Sequence, residues 1–444
     1  MKLWSKGTSI SEEIERFTIG QDQQLDLLLA PYDVVGSMAH IAMLAKVGIL
    51  PKTDWRPLQD ELAVIYGDIL AGNFDIPSGV EDVHSQIEFM VTEKLGDVGK
   101  KIHSGRSRND QVLVDIKLFL REEIRSLTHL VTTFVETLLE QSEKHQAVII
   151  PGYTHMQAAM PSSLGLWFGA YAETLIDDLK VLKASYEVVN QNPLGSAAGY
   201  GNSFPLDRRL TTELLGFEDL HINSIAAQMS RGKTEATVAF SIASLSSTLG
   251  RLAMDICLYN SQNFGFLSFP DDITTGSSIM PHKKNPDVFE LIRARCNHLQ
   301  TLPQQILSVV NSLPSGYHRD MQLTKELLLP SLDHIRDCFN LITATIPQVQ
   351  VNEAAIEDNK YALIYSVENV NQNVLEGTSF RDAYLEVAQA IEDGTFVPSK
   401  KLTHTHLGSI GNPGNQEIRK KLVGVLAGFD FDHYQQKLQQ LIES

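Results

Sequence analysis

Residues 113–138 read LVDIKLFLREEIRSLTHLVTTFVETL. Leu113, Ile116, Leu120, Ile124, Leu127, Val131, Phe134 and Leu138 recur at steps of three and four, with Arg121, Glu122, Glu123 and Arg125 mostly between them. That spacing predicts a long helix with one apolar face. It falls inside Pro77–Pro151, one of three long intervals without proline; the others are Pro205–Pro270 and Pro347–Pro398. An interior proline removes a helical hydrogen bond and clashes with the preceding turn, so long helices are expected in these intervals. In the second, Ile225, Val238, Phe240, Ile242, Leu245, Leu249, Leu252, Ile256 and Leu258 stand among small Ala and Ser. A helix apolar nearly all round belongs in the centre of a bundle. A third helix is expected from Pro286 through Leu302, ended or kinked by Pro303. Period-two strands are scarce, and the fold class expected is all-α.

The chain has 444 residues, enough for several domains around sizeable cores. Polar, turn-rich segments at Ser104–Asp110 and Pro347–Glu353 divide it into an N-terminal domain (1–105), a central long-helix bundle (106–350) and a C-terminal helical domain (351–444). A formal net charge of -17 argues against nucleic-acid and anionic-membrane binding, which need a broad basic face. Cys257, Cys296 and Cys338 lack metal-type spacing, and a reduced cytoplasm is the simplest setting. No run approaches a membrane span, and the first residues have no signal-like apolar core.

Three segments have the residue types for chemistry. In TTGSSIMPHKKNPD (274–287), Gly276 and two serines precede Lys283 and Lys284, with Asn285 expected to cap a helix whose first turn holds Pro286. The segment reads either as a helix-entry loop with solvated lysines or as an anion-binding loop with a serine placed for proton transfer. SGRSRNDQV (104–112) sets Arg106 and Arg108 before the long helix, and arginine's planar fork suits a carboxylate. PGYTHMQAAMPSS (151–163) holds Thr154 and His155 between prolines, and histidine is the usual proton-transfer side chain near neutral pH. Each also admits a plain structural reading. GKT (232–234) lacks the first glycine of a phosphate loop, GSAAGYG (195–201) has the wrong spacing for a dinucleotide fingerprint, and His84, His103 and His298 show no paired ligand spacing.

Together, the three resemble the fumarase/aspartase superfamily, whose GSSxMPxKxNP loop stands complete at 276–286. GRSRNDQV and GYTHMQ resemble the argininosuccinate lyase family within it, as do Leu3-Trp4, DVVGSMAH (33–40), EDVHSQIE (81–88), GYHRDMQLTKE (316–326) and, weakly, GTSFRDAYLEV (377–387). The resemblance implies reversible cleavage of argininosuccinate to arginine and fumarate through a carbanion, in arginine biosynthesis, with neither metal nor organic cofactor. It implies a helical bundle and a cytoplasmic homotetramer whose active sites collect segments from three subunits. By position, Ser277 and His155 become the acid/base pair and Lys283 the cation nearest the developing charge. Arg108, Asn109, Thr154, Asn285, Tyr317, Gln322 and Lys325 become substrate contacts. Whether Ser277 or His155 takes the carbon-bound proton stays open. Adenylosuccinate lyase and a non-catalytic structural protein of the same fold are the alternatives.

Two departures stand out. The family's N-terminal substrate-binding serine falls on Asp22, a carboxylate suited only to the cationic part of the substrate. MSRGKTEA (229–236) replaces the usual acidic-Arg-Asp-Phe run, which puts local packing in question.

Overall fold

The computed structural model describes residues 12–77 and 79–444. The Leu3-Trp4 pair lies outside them. The described residues open with α1 (Glu12–Ile19), α2 (Asp22–Lys46), α3 (Lys52–Leu70) and α4 (Val83–Leu95). The 37-residue α5 (Arg108–Lys144) follows, then strands β1 (Ile149–Thr154) and β2 (Gln157–Ser163), and α6 (Leu164–Val189). Next come β3 (Gln191–Asn192), α7 (Arg208–Leu214), β4 (Asp219–Leu220), α8 (Ser224–Met229) and α9 (Lys233–Asn260). After β5 (Leu267–Ser268) lie α10 (Asp287–Leu299), α11 (Leu302–Val310), α12 (Leu323–Thr345) and β6 (Gln350–Val351). The chain closes with α13 (Glu353–Ile356), α14 (Ser366–Leu375), α15 (Phe380–Glu392), α16 (Asn415–Leu426) and α17 (Phe431–Glu443). The fold is all-α.

All eight stripe residues of α5 are buried. Most of them join one core with residues of α6, α9, α10, α11 and α12. A second core links α2, α3 and α4 to Val114 and Leu118 of α5 and Leu441 of α17. The segment of α5 from Val114 to Phe119 therefore lies beside both cores. Strand content is limited to pairs: β1 with β2 antiparallel, β3 with β4 parallel, β5 with β6 antiparallel.

Several expectations need correction. Prolines lie inside α2 (Pro31), α3 (Pro57) and α12 (Pro330), so proline-free intervals do not bound the long helices. Leu27, whose carbonyl Pro31 leaves without its helical donor, is 38% exposed, so water can serve it. The second apolar interval is two helices, because Gly232 takes φ 77 between them. There the amide of Gly232 donates to Glu235 at 2.7 Å, and Glu235 pairs with Arg231 at 2.7 Å with both side chains 2% exposed. That resolves the packing of the 229–236 run. Pro303 lies in the first turn of α11, so α10 ends before it. Arg121, assigned by pattern to a polar face, is fully buried. Its guanidinium donates to the carbonyls of Leu215 and Gly216 and lies over Phe217 and Tyr434 at 4.1 and 4.5 Å.

Among the described residues, α2 alone is long and apolar enough to cross a membrane, and most of it is buried in the fold.

The start of α6 approaches the end of α5 closely. A Cβ on Gly165 would lie 2.6 Å from Gln146 Cα and 2.7 Å from the Ser142 carbonyl, both backbone atoms. Gly165→Ala is therefore expected to cost about 1–3 kcal/mol, the range for overpacking, read as a lowered denaturation midpoint. An unchanged midpoint would show that these helices can separate without cost.

Candidate active site

The sequence-predicted residues fall into two groups at opposite ends of the bundle. At the first end, Ser107 caps α5 by accepting from the Asn109 amide at 3.2 Å. Asp110 returns the contact, accepting from the Ser107 amide at 2.9 Å, and also accepts from the Gly195 and Ala197 amides at 2.9 Å each. Burial pushes the Asp110 carboxyl up to about 6 while these amides pull the other way. The turn they fix carries Arg106, Arg108 and Asn109 into a cleft of about 600 Å³, also lined by Tyr317, Gln322 and Lys325.

The cleft carries both signs of charge, and three of its basic groups are held by acidic ones of the same wall, while Arg106 donates to Ser37 Oγ at 2.9 Å. Arg108 is 3.0 Å from Asp82 and 3.6 Å from Glu81. Arg319 is 3.2 Å from Glu81. Lys325 lies 2.6 Å from both Asp22 and Asp26. Burial disfavours the Lys325 ammonium, yet Asp26 and Asp22 together hold its pKa above the usual lysine value. Burial raises Asp22 against the pull of Lys325. Gln322 donates to the carbonyls of Thr18 and Ile19 at the end of α1, at 3.2 and 2.7 Å. Asp22, the position that departs from the family serine, is thus part of the cleft wall.

The remaining residues lie elsewhere. Thr154 and His155 occupy the tip of the β1–β2 hairpin, where Thr154 pairs with Gln157 across a two-residue turn. His155 and Met156 both have positive φ, 53° and 60°. Two consecutive non-glycine residues in this region are strained, which is typical of tips positioned for function. Both are exposed, and Tyr153 anchors the hairpin against Phe264 at 5.4 Å.

The Gly-Ser-Ser loop is closed at its base by Thr275 and Asn285, whose amides and carbonyls exchange hydrogen bonds at 3.2 and 2.8 Å. Asn285 is therefore not the helix cap. Pro286 occupies that position, and α10 begins at Asp287, one residue later than the sequence suggested. Beyond this neck, Lys283 is exposed and Ser277 half-buried. The amides of Met280 and Ile279 donate to Ser277 Oγ at 3.1 and 3.4 Å. Lys284 pairs with Asp271.

The helices set the separation. Arg108 starts α5 and the hairpin follows its end; at 1.5 Å per residue the helix is about 55 Å long. Arg231 precedes α9 and Phe264 follows it, so α9 runs from the cleft towards the hairpin. Within one chain, Arg108, Asn109, Tyr317, Gln322 and Lys325 share the cleft, whereas Thr154, His155, Ser277, Lys283 and Asn285 do not line it.

Pattern reading missed His84, Asp82, Arg231 and Asp26 as cleft-lining groups. For the first two a signal existed: EDVHSQIE was quoted as a motif without roles for its members. Arg231 stands in the 229–236 run, which the sequence marks only as a departure from the family pattern, and Asp26 lies in an apolar run with no local signal of a site.

Three comparisons bear on this arrangement. A family model described as lyase matches residues 10–300. The argininosuccinate lyase of Parabacteroides distasonis is 55% identical over 441 residues, 99% of both chains. That of Bacteroides thetaiotaomicron is 56% identical over 430 residues, 97% of this chain and 96% of the other. Among solved structures, EDDS lyase in complex with formate superposes with a TM-score of 0.77 at 24% identity, covering 98% of this chain and 95% of that one, a likeness of fold.

Asp110→Ala would leave three amides without their acceptor. The expected loss is about 3 kcal/mol, at roughly 1 kcal/mol per bond and cap, measured by denaturant unfolding. A loss below about 1 kcal/mol would show that water replaces the carboxylate at no structural cost.

Proposed function

This chain belongs to the lyase family, and on that premise we propose that its cleft, completed by other copies of the chain, performs the reversible elimination of argininosuccinate to arginine and fumarate. The chain is a carbon–nitrogen lyase of amino-acid biosynthesis, as its end-to-end argininosuccinate lyase relatives indicate. What the geometry adds is the division of labour. A cleft rich in fixed charge lies at one end of α5, and the proton-transfer candidates lie at the other.

A mixed-charge cleft suits a mixed-charge substrate. Argininosuccinate carries three carboxylates together with an ammonium and a guanidinium. Lys325, Arg108 and Arg231 can meet carboxylates, while Asp22 and Asp26 can meet the cationic arginine portion. Asn109, Tyr317 and Gln322 offer neutral hydrogen bonds at the same wall.

The reaction removes a weakly acidic proton beside a carboxylate, then expels the guanidino nitrogen from the neighbouring carbon. The aci-carboxylate intermediate concentrates two negative charges, so it needs fixed donors in a site from which water is excluded. Ser277 is the favoured base, because two loop amides aim at its Oγ and would stabilise an alkoxide. Lys283, six residues on, supplies the cation for the developing charge. His155, on its strained tip beside Thr154, protonates the leaving nitrogen. Asn285 at the loop neck contacts the substrate as the loop closes. In this reading the enzyme is a cytoplasmic homotetramer in which cleft, hairpin and loop come from different subunits.

Purified protein given argininosuccinate is expected to release fumarate, followed by its ultraviolet absorbance; intact substrate would reject the reaction. Ser277→Ala should lower kcat by about 10²–10⁴-fold, and Lys283→Met by about 10²–10³-fold. Neither change should move the melting temperature by much, since both residues lie on an exposed loop. Turnover within threefold of wild type in either variant would remove that residue from the mechanism.

A further inference from the structure

Behind one wall of the cleft is a group that the chemistry above does not use. His84 lines the cleft and is 7% exposed. Its Nδ1 donates to Asp33 Oδ1 at 2.9 Å, and Gln111 Nε2 donates to the same oxygen at 2.7 Å. Asp115 Oδ2 stands 3.6 Å from the same ring nitrogen. Asp33 and Asp115 are completely buried, and neither Asp115 oxygen has an N–H or O–H partner among the described residues. The three residues come from α2, α4 and α5, and their polar atoms lie within 4.8 Å of one another.

Two carboxyl groups at this separation, sealed from water, cannot both ionise; one holds a proton. The donors decide which. Asp33 accepts two N–H bonds and stays ionised, its pKa lowered by His84 and Gln111 in spite of burial. Asp115 receives no such bond, and burial beside Asp33 drives its pKa far upward. Its proton then bonds back to Asp33. A divalent ion fits this group poorly. Nδ1 already gives its hydrogen to Asp33, Gln111 occupies the same oxygen, and the Arg106 guanidinium adds positive potential to both carboxyls.

The other charges around His84 are Asp82 and Asp26, already paired with Arg108 and Lys325, and the imidazole of His103 beside Arg106. Unlike Arg108, Arg319 and Lys325, whose counter-ions stand in the cleft wall with them, His84 has its counter-ion behind it. With Nδ1 committed to Asp33, Nε2 is the nitrogen left for the cleft, and it donates there when the ring is an imidazolium.

We propose that His84 is held as an imidazolium that binds a carboxylate of the substrate, with ionised Asp33 and protonated Asp115 as its positioning residues. The assignment rests on the reaction proposed above and adds a recognition element to it.

The test compares His84→Asn, Asp33→Asn, Asp115→Asn and Asp115→Ala in the full-length enzyme, reading KM and kcat for argininosuccinate, calorimetric affinity for fumarate, melting temperature and metal content. His84→Asn and Asp33→Asn should raise KM and weaken fumarate binding about tenfold or more, the weight of a charge-assisted bond, with a smaller change in kcat. Asp115→Asn keeps a neutral group that donates to Asp33 and should stay within about threefold of wild type, while Asp115→Ala behaves like Asp33→Asn. The asymmetry between the two asparagine variants is a readout that general loss of packing would not produce. Equal damage from Asp115→Asn and Asp33→Asn would overturn the proposal, as would an unchanged KM in Asp33→Asn. A stoichiometric metal whose removal by chelator weakens fumarate binding would overturn it in favour of an ion site. Wild-type protein that leaves argininosuccinate intact yet binds fumarate through His84 would contradict the reaction and uphold this assignment.

Discussion

One rigid rod governs the molecule. The 37 residues of α5 hold Arg108 and Asn109 at one end and deliver the chain to the Thr154–His155 tip at the other. A helix of this length cannot fold back on itself, and α6 and α12 brace it along its apolar face. The distance between the cleft and the hairpin tip is thus built into the backbone. In the function proposed above, a site that needs both takes them from separate copies, and the exposed Phe240 of α9 and Leu291 of α10 offer apolar surface for such association.

The second theme is charge held in balance. The chain is strongly acidic, yet its cleft gathers guanidinium and ammonium groups, of which Arg108, Arg319 and Lys325 stand beside carboxylates. Pairing keeps those cations fixed and charged where burial would otherwise cost several kcal/mol per ion. Lys325 is the clearest case, being 4% exposed between two aspartates. In the proposed reaction, substrate carboxylates would meet preorganised partners and need not recruit mobile ones.

Much of this was legible in the sequence, for reasons that differ by residue. The stripe from Leu113 to Leu138 has the helical period, and its burial follows from that alone. The loop at 276–286, the 104–112 turn and the 151–163 segment each admit a plain structural reading alone and stand out through their joint resemblance to the fumarase/aspartase superfamily. What stayed hidden depends on partners distant in sequence. Arg121 looks like surface until Phe217 and Tyr434 close over it. The hairpin tip was hidden because its positive-φ turn is built from His155 and Met156, without the glycine or asparagine that marks such turns. Pro31 and Pro330 misled because packing on both sides tolerates one lost bond. Asp33, His84 and Asp115 converge only when α2, α4 and α5 are assembled. No local pattern announces that.

Completion of the site between copies is the central claim, and co-expression of two inactive variants tests it most directly. One carries Ser277→Ala with its cleft intact, the other Lys325→Met with its loop intact. If cleft and loop come from different chains, hybrids recover about a quarter of wild-type turnover, the chance that an intact cleft meets an intact loop in random assembly. A hybrid preparation no more active than either variant alone would place both groups in one chain and contradict the account.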